Sequence, residues 1–334
     1  MNSEQRPADR PVTCAFCGST DTEFFALFSQ FLLASQYYCR RCKSVFDVVR
    51  WEDASDSPPS LPRYAIGDTR TELPMEFKTL LLEITEGIAT VTLNRPDHLN
   101  AISLEMRADF TALSEQLFFD DAIRVVIFTG AGRAFSSGGD IAHFEKAWLT
   151  PVFRAHSRKL IKFFDDLEAL EKPVIAAING PATGGGLELA LACDVRFAAE
   201  EATLGFRENY LGLIPGIGGC ARFARLVGVA KAKELIFAGA MIPAKDALAI
   251  GLVNRVAPGE KLMDEAREYA QMLLKRAPQS LGLAKKVLNN VANMDQTTAI
   301  FMEGLAQSIL LKTEDHQEGL RAFREKRKPQ FTGR

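Results

Sequence analysis

The sequence predicts an α/β fold with parallel strands, preceded by a small cysteine-bearing module. Three observations carry this. Two apolar, β-rich runs, RVVIFTGAG (124–132) and PVIAAINGPATGGG (173–186), each end in glycines and lead into a helical pattern. Strand, glycine turn and helix repeated in that order imply parallel strands joined by helical crossovers. Four of the six cysteines fall within the first 42 residues as two CxxC pairs.

Residues 1–52 are read as the cysteine module. Cys14 and Cys17 form one pair, and Cys39 and Cys42 the other. In a reducing compartment this spacing reads as a four-thiolate zinc site. A closed four-cysteine shell makes that zinc structural. Short loops supplying each pair, with strands between them, are the pattern of a zinc ribbon. The module holds six Lys/Arg against six Asp/Glu, a weak electrostatic basis for nucleic acid, which is not an expected partner. Its apolar residues Phe24, Phe25, Leu27, Phe28, Phe31, Leu32 and Leu33 exceed what so small a core needs. They suggest docking on the main domain or on a protein partner.

Residues 53–75 are rich in Pro, Ser and Asp and carry no hydrophobic period, which marks a linker. The main domain, 76–265, opens with LLLEIT and GIATVTLN, a hairpin around Glu86 and Gly87. A helix follows from Ser103, with Leu104, Phe110, Leu113 and Leu117 at helical spacing. From about 230 onward the pattern is mostly helical, and 266–334 is read as a helical region suited to oligomer contacts. The overall net charge of −2 directs the chain neither to nucleic acid nor to anionic lipid. The polar N-terminus lacks a secretory apolar segment, and no apolar run is long enough to span a bilayer. A cytoplasmic location without membrane contact is the expectation.

The strand-end glycines supply backbone N–H groups free of side chains, at Ser136-Ser137-Gly138-Gly139-Asp140 and at Gly184-Gly185-Gly186. Each is expected to open a helix, whose N-terminus favours an oxygen that gains negative charge. Phosphate binding and close packing are the competing uses of such glycines. The absence of GxxxxGK[ST], and of GxGxxG after either strand, removes the nucleotide readings. Glu188 is the carboxylate inside the apolar run GLELALA, and Glu208 lies in the turn-rich LGFRENYLGLIPGIGG. Each has an ordinary alternative, a dipole-stabilised Glu in a helix first turn and a surface pair with Arg207. Two carboxylates facing each other would divide the deprotonation of water and the protonation of carbon. Cys193 and Cys220, among small and apolar residues, read as buried, unreactive thiols.

Taken together, LNRPDHLNAIS (93–103), GRAFSSGGDI (132–141), INGPATGGGLELALACD (178–194), LGFRENYLGLIPGIGG (204–219) and AFREKRKPQF (322–331) resemble the crotonase family of enoyl-CoA hydratases and isomerases. The resemblance covers about 76–334. It implies a β/α superhelix (the ClpP/crotonase fold) with a C-terminal helical region that builds homotrimers, often paired into hexamers. It also implies an acyl-CoA thioester substrate and an oxyanion hole made by the amides of Gly139 and Gly185. Glu188 and Glu208 fall on the family's two catalytic positions, which favours hydration or dehydration. Glu188 would activate water and Glu208 would protonate the α-carbon. Isomerisation, thioester hydrolysis, decarboxylation and C–C cleavage stay open on the same scaffold, as do a carrier-protein-bound substrate and a non-catalytic binding scaffold. By the same resemblance the adenine of coenzyme A lies against the backbone near Ala134 and Ser136, and Lys326 in the basic Lys326-Arg327-Lys328 approaches its phosphates. Departures from the family are Gly139, where Ala is frequent, Arg207, where Pro is frequent, and His143, where many members have a Lys shortly after the Asp. Phe144, Trp148 and Phe153 stand where the acyl site is shaped; ordinary helix packing is the alternative.

Overall fold

The structure, a computed structural model, describes residues 14, 17, 19–27, 34–43, 45–49, 76–145 and 148–334. The expected linker lies outside them, as do the side chains of Phe24, Phe25, Leu27, Phe28, Phe31, Leu32 and Leu33. The chain divides into two units, Met1–Leu73 and Pro74–Arg334.

The first unit holds an antiparallel sheet of β1 (Thr22–Leu27), β2 (Ala34–Cys39) and β3 (Val45–Val49) in that order. Cys14 and Cys17 precede β1, Cys39 closes β2 and Cys42 lies in the turn that follows, so strands run between the two pairs.

The second unit begins with the antiparallel hairpin of β4 (Leu80–Thr85) and β5 (Ile88–Leu93), turning at Glu86 and Gly87. Ser103 caps α1 (Leu104–Phe119) by accepting from the Met106 amide. Phe110, Leu113 and Leu117 are buried as expected, whereas Leu104, at the first helical position, faces outward at 38% exposure. β6 (Val125–Gly130) follows and is almost wholly buried. Asp140 then caps α2 (Ile141–Phe144), a single turn, before the long α3 (Thr150–Ala169). β7 (Val174–Ile178) is buried throughout, as a strand covered on both faces must be. A two-residue β8 (Ala182–Thr183) leads into α4 (Gly185–Ala192), and β9 (Val195–Ala199) returns to the sheet.

Next come β10 (Thr203–Gly205), a 3-10 turn at Glu208–Leu211, α5 (Gly219–Val227) and α6 (Val229–Ala238). The remainder is not purely helical. β11 (Met241–Pro243), α7 (Ala244–Ala249) and β12 (Arg255–Ala257) precede α8 (Leu262–Leu274), α9 (Pro278–Val291), α10 (Gln296–Leu310) and α11 (Glu314–Glu325). The main sheet has the order β12-β9-β7-β6-β5-β4, parallel except for β4, and a second sheet pairs β11-β10-β8. Each parallel strand lies beside its predecessor in the chain, so the winding advances in one direction, as a β/α superhelix does. The core joins α1, α3 and β6 through Phe110 stacked on Phe163 at 4.4 Å, with Phe128 edge-on to Phe163 at 6.3 Å.

The first quoted motif fastens the loop after β6. Leu99 and Asn100 both take left-handed backbone conformations, and the buried Asn100 side chain donates to the carbonyls of Ala131 and Ala134. The Ser136 hydroxyl donates to the Asn100 carbonyl at 2.8 Å, and Arg95 pairs with Asp140 at 3.0 Å. The loop that carries Gly138 and Gly139 is thus held from both ends.

Candidate active site

Two backbone amides stand side by side where the loop after β6 meets the start of α4. A side chain on Gly138 would put its Cβ 2.6 Å from the Thr183 carbonyl and 3.0 Å from the Gly185 amide; with φ of +92° the position suits glycine. A Cβ on Gly185 would lie 3.5 Å from the Gly139 amide. Among the hydrogen bonds of the described residues, neither the Gly139 nor the Gly185 amide donates to a protein acceptor. Ile102 fixes this geometry by donating to the Gly138 carbonyl and accepting from the Asp140 amide, which leaves Gly139 N–H free between them. The helix-dipole argument holds for Gly185, which opens the two-turn α4. It does not hold for Gly139, because α2 is one turn long.

The carboxylates approach the same place from two directions. Glu188 lies in the first turn of α4, is 2% exposed, and accepts through Oε1 from the amides of Ile217 (2.7 Å) and Gly219 (2.9 Å). Burial, with a smaller contribution from the Glu208 charge, pushes its carboxyl up to about 7 against those two bonds. Glu208 opens the 3-10 turn and is half-buried; its Oε2 is buried without a hydrogen-bond partner. Burial raises this carboxyl as well. A Cβ on Gly184 would lie 2.7 Å from Glu208 Oε1, and one on Gly219 would lie 2.7 Å from Glu188 Oε1. Both glycines therefore make room for a carboxylate. Arg207, the expected surface partner, is exposed and stacks over Tyr210 at 5.3 Å, so Glu208 carries no ion pair among the described residues.

Arg222, which sequence reasoning missed, holds the loop that grips Glu188. Its Nη1 donates to the Ile217 carbonyl (3.0 Å), while Nε and Nη2 bind Glu168 and Nη2 also binds Asp165, both acids on α3. The amide of the same Ile217 contacts Glu188. The Arg222 charge also lowers the Glu188 carboxyl. An arginine three residues past GIGG, at the start of an amphipathic helix, was the available signal.

In the cysteine module, Cys14 and Cys42 place their Sγ atoms 3.6 Å apart and Cys17 and Cys39 theirs 3.7 Å apart, with all four sulfurs within 4.8 Å. A tetrahedral ion with Zn–S bonds of about 2.3 Å has sulfur-to-sulfur edges of about 3.8 Å, so the set fits zinc.

Comparison with known proteins places this geometry. Residues 83–334 match the enoyl-CoA hydratase/isomerase family, and residues 1–50 match the PaaD zinc beta ribbon domain. The chain belongs to the enoyl-CoA hydratase/isomerase family. It is 41% identical over 255 residues to a short-chain-enoyl-CoA hydratase of Clostridium acetobutylicum, covering 76% of this chain and 97% of that protein. A crotonyl-CoA hydratase of Syntrophomonas wolfei is 38% identical over 264 residues, covering 77% and 99%. The crystal structure of an enoyl-CoA hydratase from Bacillus anthracis superposes with a TM-score of 0.74 at 39% identity, covering 77% of this chain and all of that one.

In this family member the remaining expected residues fall as follows. Ala134 and Ser136 are buried; the Ala134 carbonyl accepts from Asn100 and the Ser136 carbonyl from the Thr183 amide, so both hold the loop. Lys326 is exposed in a left-handed conformation at the end of α11, and its neighbour Arg327 is tied to Glu318 and Glu325. His143 is buried, with ring centroids 5.5 Å from Phe144, 4.9 Å from Trp148 and 6.1 Å from Phe153. Phe144 stands against Gly139: a Cβ there would lie 2.8 Å from its ring, so the glycine departure is coupled to the phenylalanine. Cys193 is buried and its thiol is pushed up to about 12. Cys220, expected to be buried, is exposed at the start of α5, where desolvation and then the charges of Glu188 and Glu208 raise its thiol.

Two predictions arise from these contacts. Gly184→Ala puts a methyl group against Glu208 Oε1 at a φ of +53°, so kcat is expected to fall of order 10²-fold while KM changes little. Steady-state kinetics check this, and an unchanged kcat contradicts the assigned packing. Arg222→Gln removes a cation that lowers Glu188, so the limb of the kcat–pH profile that reports Glu188 should move upward from about 7. Arg222→Lys should restore part of that displacement. A purely structural role would depress kcat equally at every pH.

Proposed function

We propose that the chain is an enoyl-CoA hydratase, adding water across the α,β double bond of an acyl-CoA thioester and removing it in the reverse direction. The observation that carries this reading is the convergence of two carboxylates on one pair of unpaired amides. The thioester oxygen accepts from the Gly139 and Gly185 amides, which are aimed where negative charge develops. Glu188, held by Ile217 and Gly219 through Oε1, takes a proton from water through its other oxygen. The water oxygen bonds to the β-carbon and the π electrons move to the thioester oxygen as an enolate. Glu208, whose Oε2 has no protein partner, delivers the proton to the α-carbon. The step needs one carboxylate ionised and the other protonated; burial raises both carboxyls, and the Glu208 charge contributes to the rise at Glu188.

The backbone at Ala134–Ser136 and Lys326 serve the coenzyme A moiety in this reading, Lys326 from a neighbouring subunit. α10 supports a homotrimer or hexamer: it buries none of its residues within the chain and exposes Ile300, Phe301, Leu305 and Ile309 on its surface. No helix among the described residues is long and apolar enough to cross a membrane. Cys14, Cys17, Cys39 and Cys42 hold a structural zinc, which supplies the module's cross-link and takes no part in the reaction.

The test is turnover of a panel of enoyl-CoA and 3-hydroxyacyl-CoA esters, followed by loss of absorbance of the conjugated thioester. Hydration of at least one enoyl ester is expected. Exclusive double-bond migration, thioester cleavage, or no reaction with any ester would overturn the assignment.

A further inference from the structure

Beside α2, on the His143 side, lies a buried cation with no ion-pair partner among the described residues. Arg107 on α1 is 8% exposed, and its Nη1 approaches His143 Nε2 at 3.4 Å. Among the described residues no carboxylate lies within ion-pair distance of its guanidinium, and its Nε is buried with no hydrogen-bond partner. Burial lowers the guanidinium pKa, the direction of a desolvated cation that no counter-charge offsets. His143, which the guanidinium approaches, shares α2 with Phe144, whose ring stands against Gly139. A neutral imidazole does not replace an anion, and the forked guanidinium is shaped for a carboxylate.

The position relates this cation to the acyl group. Ile102 pairs with Gly139, and its Cδ1 lies 3.4 Å from where a Gly185 Cβ would be, so the chain entering α1 touches both oxyanion donors. Arg107 lies in the first turn of α1, three residues and roughly 5 Å along the helix from Leu104. A short acyl chain whose thioester oxygen sits on Gly139 and Gly185 spans about that reach.

We propose that Arg107, with His143 beside it, receives a carboxylate at the far end of the substrate's acyl group, so that the preferred substrate is an enoyl thioester with a terminal carboxyl group. This rests on the hydratase reading above and names the substrate class for the same site. The rings of Phe144, Trp148 and Phe153 lie near the His143 ring, and both His143 and Arg107 are buried, which strengthens their attraction for an anion.

The experiment compares enoyl-CoA esters of four to six acyl carbons that end either in a methyl or in a carboxylate, on the full-length protein. Wild-type kcat/KM is expected to favour the carboxylate-ended ester by tenfold or more at equal length. Arg107→Leu should erase or invert that ratio, and Arg107→Lys should retain part of it. Equal rates in the wild type, a preference for the methyl-ended ester, or a ratio unmoved by Arg107→Leu would overturn the proposal; the wild-type ratio decides if the leucine variant does not fold. Calorimetric binding of the corresponding saturated esters separates this inference from the reaction it rests on. A carboxylate preference in binding without turnover of either enoyl ester sinks the hydratase reading alone. Turnover without that preference sinks the assignment of Arg107 alone.

Discussion

Glu188→Gln is expected to lower kcat for hydration by roughly 10²–10⁴-fold while leaving the affinity for a saturated acyl-CoA within about twofold. The reason lies in what the substitution preserves. A glutamine Oε1 still accepts from the Ile217 and Gly219 amides, so the loop keeps its shape, but the amide cannot take a proton from water. Glu208→Gln should cost a similar factor, because its Oε2 is buried without a partner and stands ready for proton transfer. The double variant should lose little beyond either single one, since two groups that work on one transition state are not additive. Rates fully retained in either variant would remove the acid/base assignment.

The same variant should gain stability, and the sign follows from proton linkage. In the folded chain the Glu188 carboxyl is raised from 4.5 to about 7 by burial, so between those values the native state holds a proton that the unfolded chain releases. Its contribution therefore weakens as pH rises through that window. Above pH 7 the ionised group costs about 3 kcal/mol. Glu188→Gln should raise the melting temperature by several degrees at pH 8 and by little at pH 4.5, as read by scanning calorimetry. In the role proposed for it, Glu188 destabilises the fold it sits in, the usual compromise between activity and stability.

Much of this site was legible in the sequence because its chemistry needs unusual residues in ordinary elements. A carboxylate in the apolar run of α4 and glycines at two strand ends stand out against a hydrophobic background. The parallel α/β architecture was legible for the related reason that buried parallel strands such as β6 and β7 are continuously apolar, whereas the superhelix was implied only by the family resemblance. What was not legible depends on contacts between distant segments. Gly184 read as one of the strand-end glycines that supply free amides and Gly219 as part of a turn-rich segment, and only the folded chain shows that each leaves space for a carboxylate twenty or more residues away. Arg222 reads as an ordinary helix arginine until Asp165 and Glu168 of α3 reach it. Cys220 sits among small residues that suggest burial, yet its place at the start of α5 opens it toward the carboxylates. The one-turn α2 was hidden because Asp140 caps a helix convincingly whatever its length. Edge strands as short as β11 and β12 carry too few residues for a period to show.

Removing zinc is expected to unfold the cysteine module and leave catalysis on free CoA esters nearly unchanged. The module's described strands are five or six residues long, and a three-stranded sheet of that size has little core of its own. In the zinc site proposed above four thiolates on one ion cross-link the module, and structural zinc sites of this kind supply on the order of 10–16 kcal/mol of apparent folding free energy at neutral pH. Cys14 and Cys39 are buried at 2% and 0% exposure, so losing either sulfur leaves the ion without its inner ligands. Atomic absorption should therefore find one zinc per chain in the intact protein and none in Cys39→Ser, whose residues 1–50 should become sensitive to protease. Every group assigned to the reaction lies in the second unit, Pro74–Arg334, which is why turnover should fall less than about twofold after chelation, far below the losses general acid–base groups cause. A chain purified without metal yet protease-resistant at its N-terminus would show that the cysteines do not build the module. A collapse of turnover on chelation would show instead that the ribbon supports the site.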